Sequence, residues 1–304
     1  MRGNPFWTDC SINRLVADNA GTATQSEEPM IATETVDIRI DNRVLYATLD
    51  APPLNLIGPE IVRDLVNLVL YLEAHEDISV VLFRSANPEF FSAHVDMYRA
   101  SELGGEISRL EPGAPLGALY RRISTLNQVS IAAISGRVRG AGSEFILACD
   151  MRFADERAVF GQPEVGVGAV PGAGALQHLT RLMGRGRALE ALIGADDFTA
   201  DLAAQYGWIN RVIPEEKLHG FTSALAQRIS RFPTTGIADA KQRVNAITLP
   251  DVQALLEDTQ LFVAGLNRPE TSTRIHQLFN AGMQTDGPLE AAFGARLDDL
   301  PPAN

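Results

Sequence analysis

Two glutamates of this sequence, Glu144 and Glu164, each lie beside a short stretch rich in small residues. Glu144 lies just past the Gly-Ala-Gly sequence at residues 140–142, and Glu164 lies between Gly161 and a glycine-rich loop. Two carboxyl groups can divide the work of a general base and a general acid when their surroundings separate their pKa values. Spacing along the chain does not show that the two converge, and each glutamate taken alone is expected at the surface.

The turn at residues 140–142 lies between a predicted buried strand and a predicted helix. Small residues let a ligand approach the main chain, and the first turn of a helix supplies free N–H groups and a partial positive charge. Such a turn can stabilise an oxyanion; the alternative is a tight turn that needs glycine only for packing. Residues 91–97 (FSAHVDM) form a second small-residue turn after another strand. Together the two turns could direct two N–H groups at one carbonyl oxygen.

Strand and helix patterns alternate around these turns. The sequence predicts a hairpin over residues 36–40 and 44–49, and strands buried on both faces over residues 78–83 and 131–134. Further strands are predicted at 151–154 and 158–160, and helices at 60–74, 116–126, 143–149, 175–183, 188–193 and 199–206. After Pro214 only helices are predicted. Strands that alternate with helices indicate an α/β core with parallel pairing.

The composition is that of an ordinary globular protein. Of 304 residues, 45% are hydrophobic and 21% are charged. A chain of this length buries about 75% of its unfolded surface, so it needs neither disulfides nor a structural metal. The net charge of −12 argues against nucleic acid as a partner. It does not exclude one anionic small molecule, because several arginines fall in the middle of the chain.

The sequence lacks the motifs that several other kinds of chemistry require. The glycine loop at residues 166–174 has the wrong spacing for a dinucleotide site, and neither an NTPase P-loop nor a serine-hydrolase elbow occurs. The five histidines include no H-x-x-x-H pair, so we expect no metal site. We expect neither a membrane span nor a signal peptide, because no long apolar run occurs. The two cysteines fit a reducing, cytoplasmic location.

The sequence resembles the crotonase (enoyl-CoA hydratase/isomerase) superfamily over residues 35–295. The resemblance rests on the order and spacing of five segments, residues 49–55 (LDAPPLN), 91–97, 133–150, 161–174 and 204–214. It implies an α/β, crotonase-like fold, which is a spiral of ββα units with a C-terminal α-helical layer. The expected organisation is an N-terminal extension at residues 1–33, a crotonase-like core at 34–235 and a helical oligomerisation region at 236–304.

The resemblance also implies an acyl-CoA-processing site. The backbone N–H groups of Val95 and Ala141 would hold the thioester oxygen, and Glu144 and Glu164 would match the two glutamates of the hydratases. Isomerases of the family usually keep only the counterpart of Glu164, so the pair favours addition of water to a trans-2-enoyl-CoA. The residues expected to contact the substrate are Ser92, Ala93, His94, Asp96, Met97, Tyr98, Leu116, Tyr120 and Gly140. Coenzyme A enters as the thioester substrate, and no permanently bound cofactor is expected.

Three features depart from the family pattern. His94 replaces the glycine of the usual Phe-x-Ala-Gly-x-Asp turn. It could be accommodated by positive φ or a reshaped turn, contact the thioester, or impair the first oxyanion donor. Arg137 and Arg139 lie where many relatives carry small or apolar residues, either as ion-pair partners or as part of a reshaped pocket. Residues 282–297 lack the lysine-rich stretch that relatives often use against the CoA phosphates.

Other functions stay open at this point. The same scaffold hosts enoyl-CoA isomerases, thioester hydrolases and decarboxylases, and His94 leaves room for a catalytically impaired acyl-CoA-binding homologue. The resemblance implies homotrimers, often paired into hexamers, through the C-terminal helices, and the apolar residues of 252–266 agree with such contacts. We expect a role in cytoplasmic fatty acid metabolism, with neither nucleic acid nor a membrane as partner.

Overall fold

Residues 31–301 are described by the computed structural model, so the predicted extension at residues 1–33 falls almost entirely outside the described part of the chain. The strands are β1 (Val36–Asp41), β2 (Val44–Leu49), β3 (Val80–Ser85), β4 (Phe90–Ser92), β5 (Val129–Ile134), β6 (Arg137–Arg139), β7 (Met151–Ala154), β8 (Val159–Gly161), β9 (Phe198–Thr199) and β10 (Arg211–Val212). The helices are α1 (Pro59–Ala74), α2 (Leu103–Ile107), α3 (Leu116–Thr125), α4 (Gly140–Ala148), α5 (Glu164–Val167), α6 (Ala175–Met183), α7 (Arg185–Gly194), α8 (Ala200–Tyr206), α9 (Glu215–Ile229), α10 (Thr234–Thr248), α11 (Val252–Leu266), α12 (Pro269–Asn280), α13 (Pro288–Ala291) and α14 (Phe293–Arg296).

The main sheet contains six strands in the order β1-β2-β3-β5-β7-β10. β1 and β2 form the predicted antiparallel hairpin, and every other pair of neighbours is parallel. Parallel strands joined by helices are buried on both faces. In β3, Val81 and Phe83 belong to one core cluster, whereas Val80 and Leu82 belong to another. Both faces of β3 are therefore apolar, which explains the continuous run that predicted it.

A second sheet contains four short strands in the order β4-β6-β8-β9. Strands β3, β5 and β7 of the main sheet lead into β4, β6 and β8 of this one, and a helix follows each pair. Three successive ββα units result, which confirms the predicted spiral. The sequence did not predict β4, β6, β9 or β10, because strands of two or three residues are too short to show a two-residue periodicity.

Helices alone follow β10 in the described residues, as predicted beyond Pro214. Helix α9 covers one face of the main sheet through Leu218 and Ala226. The last helices contribute to a separate small cluster with the members Ala195, Leu278, Met283, Leu289, Phe293 and Leu297. No helix within residues 31–301 is long and apolar enough to cross a membrane. The predicted boundary between core and oligomerisation region at residue 235 stays a prediction.

The connection between β5 and β6 depends on Gly136. Its φ angle is +69°, and a Cβ atom there would lie 2.3 Å from the carbonyl carbon of Glu89. That carbonyl also accepts the backbone N–H of Arg137 at 2.8 Å, which fixes β6 against the chain before β4. Gly136 therefore sets the path by which the chain passes from one sheet to the other.

We expect Gly136→Ala to lower the free energy of unfolding by about 3 kcal/mol or more, because left-handed backbone and a backbone clash both oppose a side chain there. Gly220→Ala is the matched control, since a Cβ atom at Gly220 meets nothing within 4 Å. It should be neutral or stabilising by up to about 1 kcal/mol. Urea unfolding followed by circular dichroism measures both, and equal stability of the two variants would contradict the role given to Gly136.

Candidate active site

The parallel pairing of β4, β6 and β8 brings the two small-residue turns and the second glutamate together. Because these strands are parallel neighbours, their carboxyl ends lie at one edge of the second sheet. The residues that follow them are His94, Gly140 and Glu164. A Cβ atom on Gly140 would lie 3.0 Å from Oε1 of Glu164 and 3.3 Å from Cβ of His94. The three turns thus meet at the position of Gly140.

Gly140 and Gly142 are each needed for a different structural reason. Gly140 has a φ of +49° and lies against His94 and Glu164, so a side chain would be both strained and crowded. A Cβ atom on Gly142 would lie 2.6 Å from Oγ of Ser92, because helix α4 packs directly on the end of β4. This contact keeps the start of α4 beside the first turn.

The first candidate oxyanion donor is the backbone N–H of Val95. The carbonyl of the same peptide, that of His94, accepts the N–H of Ile57 at 2.8 Å. In a trans peptide the C=O and N–H bonds point in opposite directions, so the Val95 N–H points away from Ile57. Within residues 31–301 this N–H has no backbone acceptor. His94 does not adopt positive φ, so the turn accepts the side chain without left-handed backbone.

The second candidate donor is the backbone N–H of Ala141, in the first turn of α4. Such groups have no intrahelical partner and carry the partial positive charge of the helix N-terminus. The hydroxyl of Tyr120 donates to the Ala141 carbonyl at 2.9 Å and holds this residue from the side of the core. Val95 and Ala141 both line the same cavity, so both N–H groups belong to one site.

Glu144 is a buried carboxyl group that two backbone amides hold. Its Oε1 accepts the N–H of Ala173 at 2.7 Å and that of Ala175 at 3.1 Å. Burial raises the pKa of Glu144 to about 7, the two N–H groups oppose this rise, and the charge of Asp258 adds to it. The amide contacts stabilise the ionised form, so Glu144 is suited to act as a base near neutral pH.

Glu164 has the opposite surroundings. Its Oε2 is buried and has no hydrogen-bond partner among the described residues. Burial, and after it the charge of Glu144, raises the pKa of Glu164 well above its usual range. Of the two carboxyls, Glu164 is therefore the one that keeps its proton to higher pH. The pair can hold one proton between a base and an acid.

A cavity of about 260 Å³ opens at this edge. The polar side chains on it are His94, Glu144, Glu164 and Thr259. The apolar side chains on it are Val95, Met97, Ala100, Leu103, Ile107, Ala114, Pro115, Leu116, Ala141, Pro163, Val167, Ala169, Ala173, Phe262, Val263, Leu266, Ile275, Met283 and Phe293. The cavity thus joins an apolar chamber to a small group of carboxyl and N–H groups, which is the usual make-up of a small-molecule site.

Most of the predicted site residues lie on this cavity, and several do not. His94, Val95, Met97, Leu116, Ala141, Glu144 and Glu164 line it. Gly140 lies behind His94 and Glu164. Ser92 and Ala93 are fully buried, and the Ser92 hydroxyl donates to the carbonyl of Asn55 at 2.7 Å. Their positions make them supports of the first turn.

Three further predicted contacts lie elsewhere. Tyr98 is 70% exposed and stacks on the ring of Phe279, so it lies on the outer surface. Tyr120 is buried in the core, where its ring lies beside Phe145 and its hydroxyl donates to the carbonyl of Ala141. Asp96 accepts the backbone N–H of Tyr98 at 3.0 Å and is not on the cavity. Neither Tyr98 nor Tyr120 lines the cavity, because one ring points outward and the other inward from their elements.

The contribution of the C-terminal helices to the cavity was not predicted from the sequence. Phe262, Val263 and Leu266 of α11 line it, as do Met283 and Phe293. The one feature of the sequence that could have indicated this contribution is the excess of apolar residues in 252–266. On the sequence alone, that excess agrees equally with contacts between subunits. Part of that excess lines the cavity within the same chain.

Comparison with known proteins bears on this site. The model of the enoyl-CoA hydratase/isomerase family matches residues 39–276. The chain belongs to that family. It is 32% identical to 2,3-dehydroadipyl-CoA hydratase of Escherichia coli K12, over 72% of this chain and 86% of the relative. It is 29% identical to short-chain-enoyl-CoA hydratase of Clostridium acetobutylicum, over 71% of this chain and 83% of the relative.

Solved structures agree with this membership. The crystal structure of a provisionally named enoyl-CoA hydratase from Streptomyces avermitilis is 47% identical and superposes with a TM-score of 0.88. The superposition covers 90% of this chain and 100% of the Streptomyces avermitilis chain. These similarities confirm the predicted family, its fold and crotonase-type acyl-CoA processing by an enzyme.

The raised carboxyl pKa values predict a pH-dependent stability. The folded protein keeps protons that the unfolded chain releases near pH 4.5, so the carboxyl pair lowers stability as the pH rises from about 4.5 to above 7. Glu164→Gln removes the contribution of Glu164 to this effect, and we expect it to raise the melting temperature at pH 8 by about 3 °C or more. At pH 4 the variant and wild type should melt alike. Glu216→Gln, at an exposed position, is the control and should change the melting temperature at neither pH. A Glu164→Gln protein that is less stable at pH 8 than wild type would contradict the raised pKa assigned to Glu164.

Proposed function

We propose that this protein adds water to trans-2-enoyl-CoA thioesters and forms 3-hydroxyacyl-CoA. The observation that carries the proposal is that Val95, Ala141, Glu144 and Glu164 all line one cavity. On it, Glu144 and the Oε2 atom of Glu164 are buried, and the backbone N–H groups of Val95 and Ala141 are the candidate oxyanion donors. Either feature alone would fit several reactions of the family. An oxyanion site together with a separate base and acid fits addition of water across an activated double bond.

The reaction follows from the positions of these groups. The N–H groups of Val95 and Ala141 bind the thioester oxygen, which gains negative charge as the enolate forms. The carboxylate of Glu144 takes one proton from a water molecule, and the oxygen of that water bonds to C3. The carboxylic acid of Glu164 gives its proton to C2, and the thioester carbonyl is restored. After the reaction Glu144 holds the proton taken from water, and Glu164 has given its proton to the product. Transfer of one proton from Glu144 to Glu164 then restores the starting state of the site.

The environments of the two carboxyls support these roles rather than the reverse. Glu144 accepts two amide N–H groups, which favour its charged form. Glu164 has no such donor on its buried Oε2, which favours its neutral form. An unpaired Val95 N–H and the ordinary backbone of His94 argue against an impaired binding homologue. An isomerase would need only one of the two carboxyls, which is why we favour the hydratase.

The cavity also favours an apolar acyl group. No lysine or arginine among the described residues lines it, and its polar side chains gather at the reacting end. A second carboxylate on the acyl group would therefore be buried without a partner, which is costly. We infer that the preferred substrates are enoyl-CoA thioesters with hydrocarbon chains.

We expect Glu144→Gln and Glu164→Gln each to lower kcat for hydration of crotonyl-CoA by about 10²–10⁴-fold, because each removes one proton-transfer group. The fold should be retained, since the side-chain amide oxygen of the Glu144→Gln variant can still accept the two backbone N–H groups. Loss of absorbance of the enoyl thioester measures the rate, and Glu216→Gln serves as the exposed control. Unchanged rates in both site variants would refute the assignment.

We further propose that the protein assembles into homotrimers or dimers of trimers and acts in the cytoplasm. Apolar side chains exposed on the C-terminal helices support self-association, and among them are Val244 and Ile247 of α10 and Val252 and Leu261 of α11. Ile247 is 80% exposed, which is unusual for an isoleucine on a free surface. A buried free thiol at Cys149 agrees with a reducing compartment.

Sedimentation velocity tests the assembly. The wild-type protein should sediment as a trimer or hexamer, and Ile247→Glu should shift it toward the monomer, because a charge would be buried without a partner. Gln242→Glu places the same charge on α10 at another exposed position and is the control. A monomeric wild-type protein at micromolar concentration would contradict the proposal.

A further inference from the structure

The three residues that depart from the family pattern, His94, Arg137 and Arg139, all contact one short segment near the C-terminus. His94 Nε2 lies 3.0 Å from Oε1 of Glu290. Arg139 donates to the carbonyl of Glu290 at 2.9 Å, and Arg137 donates to the carbonyl of Ala291 at 2.8 Å. Helix α13, which contains both partners, is only four residues long. Its position therefore depends on these contacts more than on its own helical hydrogen bonds.

His94 uses both ring nitrogens in this arrangement. Nδ1 lies 2.9 Å from the carbonyl oxygen of Val95, and Nε2 faces Glu290. Both ring nitrogens are therefore occupied by oxygen atoms of the protein, and neither is left free for a substrate. His94 is thus a positioning residue and not a catalytic acid, although its ring lies on the cavity wall.

Glu290 is a fully buried partner. Its Oε1 also accepts the backbone N–H of Gln284 at 2.7 Å. Burial alone would raise the pKa of Glu290, but the hydrogen bond and charge of His94, with the Gln284 N–H and Arg139, lower it overall. A buried carboxylate that loses its hydrogen-bond partner is strongly unfavourable, so the His94 contact ties the segment to the first oxyanion turn.

Arg139 extends the link into the core of the subunit. It is buried, and its guanidinium forms a two-point ion pair with Asp197 at 2.6 and 2.7 Å. This pair fixes the guanidinium, and its remaining Nη1 reaches the Glu290 carbonyl. Where the segment continues into α14, a Cβ atom on Gly294 would lie 2.5 Å from the backbone nitrogen of Asp197. The segment is thus packed directly against the loop that holds Arg139.

The residues on either side of Glu290 form part of the acyl cavity. Met283 and Phe293 line it, and the Phe293 ring lies 5.5 Å from the His94 ring. Both belong to the small cluster that also contacts Met97 and Val167, two further cavity residues. The position of the segment therefore sets the position of one cavity wall, next to the Val95 donor.

We propose that His94, Arg137 and Arg139 clamp residues 283–293 over the acyl cavity, and that His94 thereby limits the length of the acyl chain. The clamp stands on the contacts alone, whereas its effect on chain length rests on the proposed hydratase function. His94 stands at the position of the turn glycine in the family pattern, and its side chain carries the contact to Glu290.

Two readouts test the clamp and the specificity separately. In hydrogen exchange followed by mass spectrometry, His94→Gly and Glu290→Gln should speed exchange of peptides within residues 283–297 by about tenfold or more. Asp286→Asn removes the same charge at an exposed position of the segment and should leave exchange unchanged. Glu290→Gln keeps the side-chain shape, so it tests the clamp even if His94→Gly fails to fold. Unchanged exchange in Glu290→Gln would overturn the clamp.

The kinetic readout compares 2-decenoyl-CoA with crotonyl-CoA. In His94→Gly and Glu290→Gln, the ratio of kcat/KM for the longer over the shorter thioester should rise about tenfold, mainly through KM. His94→Gln can still donate one hydrogen bond and should fall between wild type and His94→Gly. Faster exchange with an unchanged ratio would overturn the specificity role and leave the clamp standing. A wild-type protein that hydrates neither thioester would refute the proposed function, and the exchange rates would still decide the clamp.

Discussion

Parallel pairing among β4, β6 and β8 is the constraint on which the site depends. Each of these strands is three residues long, and each ends at a turn that carries part of the chemistry. Since parallel neighbours end at the same edge, pairing alone places the Val95 turn, the start of α4 and Glu164 side by side. The close approach of Gly142 to Ser92 then fixes the spacing between the first two. The larger main sheet supports this edge but supplies none of these groups itself.

The two carboxyls show how one fold can give the same functional group two roles. Both are removed from water, which by itself favours the neutral form. Backbone amides from the Ala173–Ala175 loop compensate one of them, and the other is left without compensation. The difference in proton affinity therefore comes from where main-chain N–H groups point, and not from residue type. An uncompensated buried carboxyl is unfavourable for folding, and its retention at this edge is typical of a functional site.

Long periodic segments made much of this architecture predictable. The hairpin, α1 and the doubly buried strands show their period or their apolar runs in the sequence, and their observed limits differ from the predicted ones by a few residues. The second sheet was missed because strands of two or three residues carry no period. The roles of Tyr98 and Tyr120 could not be predicted, because one position along an element decides whether a ring points outward, inward or into a cavity. The contacts of His94, Arg137 and Arg139 to Glu290 and Ala291 were hidden because these partners lie about 150 to 200 positions away along the chain.

The long sequence distance between these contact partners has a consequence for folding during translation. His94 and Glu290 are 196 residues apart, and Arg139 and Glu290 are 151 apart. At about 5–20 residues per second, a ribosome needs roughly 10–40 s to go from His94 to its partner. During that interval both sheets can already pair, while the cavity lacks the wall that Met283 and Phe293 provide. A nascent chain would therefore expose an unfinished apolar chamber until residues 283–293 have been translated, and transiently exposed apolar surface of this kind is what chaperones recognise.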